Sequence, residues 1–98
     1  MGIEKRQYER LVIPGDVFIN HRENEIHCTI ENISNYGAYL KVENVSHLNG
    51  MEIGDSVSFR ISTPDIAERE LSGRILRHTI DQGSQYLAVY FFQQYTFD

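Results

Sequence analysis

Apolar side chains recur at every second position through most of this sequence, and a chain so patterned can bury them only as strands. In "IHCTIENI", Ile26, Cys28 and Ile30 share one side, and His27, Thr29 and Glu31 the other. "GAYLKVE" groups Ala38, Leu40 and Val42, and "SVSFRI" groups Val57, Phe59 and Ile61. A period of two marks a half-buried strand. "LVIPGDVFINHR" reads as an earlier strand with Pro14-Gly15 near its start. "QYLAVYFFQQY" reads as a final one, rich in β-branched and aromatic residues. "RENE", Pro64 and "DQGS" are turns, and a loop containing Asn, Ser, His and Gly spans Asn44 to Asp55. "IAERELSGRILRH" fits a helix as far as Glu70. Beyond it Leu71, Gly73, Ile75 and Arg77 alternate with Ser72, Arg74 and Leu76, and Gly73 disfavours a helix centre, so the segment is read as a strand. Strands of this length, with turn signals about every 8 to 14 residues, predict an all-β barrel or sandwich.

Composition narrows the function classes. The 98 residues make one domain, and 41% hydrophobic content supports one core. A net charge of −5 argues against a nonspecific DNA or RNA binder, which presents a basic face, but leaves room for one anionic ligand on a local basic cluster. The single Cys28 excludes an internal disulfide. "MGIEKRQYER" has no apolar stretch, and no run approaches the roughly 20 apolar residues of a membrane helix. A reduced, cytoplasmic protein without membrane insertion is expected.

Two clusters stand out. In "RQYER", Arg6 and Arg10 follow Lys5, so three of the nine basic residues fall within six positions. Guanidinium forks fit phosphates bidentately, stack on aromatic faces and read the O6/N7 edge of guanine. At roughly 3.3 Å per residue the two arginines span about 13 Å when extended, enough for a ligand with several such groups. An ordinary solvated surface has the same look. In "NISNYG", Asn32 and Ser34 lie two residues apart on a strand end, and Gly37 permits a positive φ or a close ligand approach. A plain Asn35-Tyr36-Gly37 turn explains those residues equally well.

Together the clusters are more specific. R-x-x-x-R ahead of the first strand, followed by N-x-S-x-x-G at the end of the second, resembles the PilZ domain. "MEIGDSVSFRI" is similar to that family's G-x-x-v-x-l strand, "LSGRILR" to its G-x-V-x-R strand, and "YLAVYF" to its closing G-V-x-F strand, with Ala88 where Gly is usual. The likeness covers nearly the whole chain. It implies a six-stranded antiparallel barrel over 11–98, with little or no C-terminal helix. It also implies a flexible ligand-binding segment over 1–10. The implied ligand is the bacterial second messenger cyclic di-GMP. Arg6 and Arg10 would grip its phosphates and guanine edges, over Asn32, Ser34 and Gly37. Lys5, next to the first arginine, would bear on how many ligands bind; Arg74 and Arg77 would extend the site from a nearby strand, or are ordinary exposed strand arginines. Bound ligand would be relayed to a partner protein by ordering the N-terminal segment, from a monomer or weak homodimer. The alternative is a PilZ-like adaptor that binds protein and no nucleotide. Ligand stoichiometry, one molecule or a stacked pair, stays open.

No residue set points to catalysis or a cofactor, so no enzyme is expected. His21, His27, His47 and His78 lack paired metal spacing. His27 and Cys28 are neighbours on a strand and point to opposite faces, so Cys28 is read as a buried structural thiol. Tyr86, Tyr90, Phe92 and Tyr95 are read as barrel core and rim, with an exposed partner-binding patch as the alternative.

Overall fold

The computed structural model describes residues 14–44, 51–64 and 66–93. Six strands run Asp16–His21 (β1), Asn24–Ile33 (β2), Gly37–Val42 (β3), Ser56–Thr63 (β4), Ile66–Asp81 (β5) and Ser84–Phe91 (β6). Each neighbouring pair is antiparallel, and pairing of β1 with β4 closes the order β1-β2-β3-β6-β5-β4 into a barrel. Among the described residues there is no helix. The expected all-β barrel is therefore the observed fold. Residues 1–10, expected as a mobile segment, and Leu11 to Ile13, expected in the first strand, lie outside the described residues.

Alternation decides the interior. Val17, Ile19, Ile26, Cys28, Leu40, Phe59, Ile61, Ile75, Leu87, Val89 and Phe91 point inward and are almost wholly buried. Each large apolar side chain removed from water contributes about 1.5–3 kcal/mol before entropy is counted. Phe59 and Phe91 meet edge to face across the barrel, with ring centroids 5.9 Å apart. Burial, and after it the charge of Glu43, pushes the Cys28 thiol up to about 12, so it is an inert core residue. His27 lies on the outer side, bonded to Asp16 at 2.8 Å and stacked on Phe18.

The segment that fits either a helix or a strand is strand throughout, because barrel closure asks it to serve two neighbours. β5 pairs with β4 from Ile66 to Arg74 and with β6 from Gly73 to Asp81. At the crossing, a Cβ on Gly73 would stand 2.1 Å from the Tyr90 carbonyl oxygen and 2.6 Å from Phe59, so only glycine fits. The same strand carries a bulge between Ile75 and Arg77. It puts Leu76 and Arg77 both outside, where plain alternation sends Arg77 to the side of Ile75.

Candidate functional site

Register brings the site together. Asn32 of β2 lies opposite Tyr39 of β3, Tyr39 opposite Ala88 of β6, and Ala88 opposite Arg77 of β5. These four residues form one transverse row on the outside of the barrel. Ala88, the smallest of them, sits between Tyr39 and Arg77 and leaves a depression. Tyr36, Leu76 and Tyr90 raise its walls, and Ser34 and Gly37 close one end. The resulting groove holds about 360 Å³, within the ~300–1,000 Å³ of small-molecule sites.

The "NISNYG" cluster is both turn and groove wall. β2 stops at Ile33, and Ser34 then closes the link to β3. The Ser34 hydroxyl accepts the Tyr36 N–H at 3.2 Å and faces the Gly37 carbonyl at 3.4 Å, while the Ser34 N–H donates to that carbonyl at 2.8 Å. Gly37 has no positive φ, contrary to the expectation for a turn glycine. A Cβ there would stand 2.5 Å from the Val89 carbonyl oxygen, so what demands glycine is the close approach of β6.

The two β5 arginines diverge. Arg77 lines the groove. Arg74 is not among the lining residues, and its guanidinium lies over the Phe92 ring, 5.4 Å from the centroid. The Leu76 bulge is what turns Arg77 outward beside Ala88, and nothing in the local sequence announces it. Tyr39 and Tyr36 are site residues that the sequence reading missed. Tyr39 was legible in principle, because burying Ala38 and Leu40 turns it outward. Arg6, Arg10 and Lys5 lie outside the described residues.

Charge is unevenly spread over the barrel. Around β1, β2, β4 and the start of β5, Asp16 is hydrogen-bonded to His27, and Arg60 lies between Glu25 and Glu68. Across the groove side of β3-β6-β5, Tyr39 and Tyr86 stack 5.4 Å apart near Lys41 and Arg77. Among the described residues no cluster of three or more His, Cys, Asp or Glu could hold a metal ion.

Comparison with known proteins agrees with this geometry. The PilZ domain profile matches residues 4–96. The chain belongs to the PilZ domain family. Among solved structures, the Bacillus subtilis inhibitor of motility MotI/DgrA superposes with a TM-score of 0.76 at 23% identity, over 94% of this chain and 44% of its own. The PilZ domain of Escherichia coli YcgR with c-di-GMP gives 0.72 at 12% identity, over 91% of this chain and 79% of its own. YcgR in complex with c-di-GMP gives 0.72 at 11% identity, over 92% of this chain and 39% of its own. At these identities the likeness establishes the PilZ fold. This chain spans less than half of the motility inhibitor. No curated protein matches it by sequence.

Proposed function

We propose that this PilZ domain is a cytoplasmic receptor for cyclic di-GMP and performs no chemistry on it. The nucleotide lies in the groove between Asn32 and Arg77, and Arg6 and Arg10 close over its phosphates and guanine edges. The observation that carries this reading is the convergence of Asn32, Ser34 and Gly37 with Tyr39, Ala88 and Arg77 in one groove. A flat purine suits a floor as shallow as Ala88 between aromatic walls. A dianion suits a groove lined by Arg77, with Lys41 on the neighbouring β3, in a domain whose net charge is −5. YcgR, whose PilZ domain was solved with c-di-GMP, has the same fold, which supports the reading. Bound nucleotide alters the surface offered to a partner protein.

Titration calorimetry with cyclic di-GMP tests this. Each charge-assisted bond from Arg10 contributes about 1.5–3 kcal/mol, so Arg10→Ala should weaken binding roughly 10- to 150-fold. Affinity of the wild type should fall as salt rises, because the arginines act on phosphates. Heat that is absent in the wild type overturns the reading. The second reading, a nucleotide-free adaptor, is favoured by one observation. Leu76, Tyr90 and Phe92, exposed by 52%, 43% and 47%, form an apolar rim beside the groove.

A further inference from the structure

Two strands overrun their neighbours, and the molecule treats the overhangs differently. β2 extends past β3 from Asn24 to His27. Its edge there is covered. The Asn44 side chain accepts the His27 N–H at 2.7 Å and donates to the Glu25 carbonyl at 3.2 Å, and the Glu43 N–H donates to the His27 carbonyl at 2.8 Å. β5 extends past β4 in the same way. Among the described residues its last backbone hydrogen bonds on that side are at Ile75, which donates to Asp55 at 3.0 Å and accepts from Gly54 at 2.7 Å, with His78 bordering a small cavity shared with Met51 to Ile53. From Leu76 to Asp81, β5 is paired only with β6 among the described residues. An open edge is a template for another strand.

The hairpin fixes which backbone groups are on offer. Asp81 and Ser84 flank the two-residue turn Gln82-Gly83, whose φ values of 51° and 83° are those of a type I′ turn. That closing pair exchanges both backbone bonds, and the pattern alternates from there. Arg77 and Thr79 therefore bond to β6, and the N–H and C=O of His78 and Ile80 face outward. Ile80 is also the most exposed large apolar residue described, at 66%.

We infer that this edge pairs with the same edge of a second copy, antiparallel about a two-fold axis at Thr79. In that register His78 of each copy meets Ile80 of the other, and all four outward donors and acceptors on each side find partners. Arg77 then stands opposite Asp81 of the second copy, twice, on the outer face. The segment is thus self-complementary in charge as well as in hydrogen bonding. A one-residue slip would put the outward groups opposite inward-bonded ones. Exposed ion pairs add little and the seam is short, so the dimer is weak and populated only at high concentration.

Sedimentation velocity of the full chain should show the 11.4 kDa monomer giving way to dimer as concentration rises towards about 1 mM. Asp81→Arg should weaken association tenfold or more, and the exchange Arg77→Asp with Asp81→Arg should restore it. Ile80→Pro removes an outward N–H that β6 does not use and should abolish the dimer. Circular dichroism monitors folding, and the charge exchange decides the matter where the proline variant does not fold. A chain monomeric at every concentration, or a dimer indifferent to charge reversal and rescue, overturns the inference.

Discussion

Ser34 and Asn32 sit two positions apart and do different work. The Ser34 hydroxyl is spent within the turn, between the Tyr36 N–H and the Gly37 carbonyl. Ser34→Ala should therefore cost about 1 kcal/mol, lowering the melting temperature by roughly 4–8 °C. Asn32, half-buried at the edge of the groove, should behave the other way. Asn32→Ala should leave thermal stability within about 0.5 kcal/mol and weaken cyclic di-GMP binding. Thermal melts and calorimetry on the two variants separate the roles, and a stability loss in Asn32→Ala equal to that of Ser34→Ala would contradict the assignment. Both positions were legible in the sequence as one motif. Their division of labour was not, because it depends on where β2 stops.

At the level of elements, strands were readable and their irregularities were not. Alternation in "IHCTIENI" and "SVSFRI" placed Ile26, Cys28, Val57 and Phe59 correctly, since inside and outside follow from a local period. The bulge at Leu76 follows from closing a sheet on itself, which no local window records. Arg74 and Arg77 were therefore read together as one extension of the site, whereas Arg77 lines the groove and Arg74 lies over Phe92. Gly37 teaches the same lesson, because its reason lies on another strand. Gly37→Ala would drive a methyl against the backbone oxygen of Val89, which cannot step aside as a flexible side chain would. It should destabilise the β3–β6 seam by about 1–3 kcal/mol, read as a lower urea midpoint with an unchanged m-value.

Across the whole molecule, His21 and Asp55 fasten the segment before β4 to the end of β1. His21 is buried and meets the Asp55 carboxylate at 2.7 Å. The Glu52 N–H, and after it the His21 side chain, hold the Asp55 carboxyl below its ordinary value. A folded-state value below the unfolded one means that this stabilisation is present above the unfolded value and is lost as pH falls through the folded one. Stability should thus decline below about pH 4, and Asp55→Asn should flatten that limb while lowering stability at neutral pH, measured by melts across the range. The joining of β1 to β4 has a wider consequence. A hoop without ends gives every strand a neighbour on both sides, so its floor yields less than an open sheet would. A nucleotide held over Ala88, as proposed, would then be announced at the rim, by which side chains it hides and which it leaves in view.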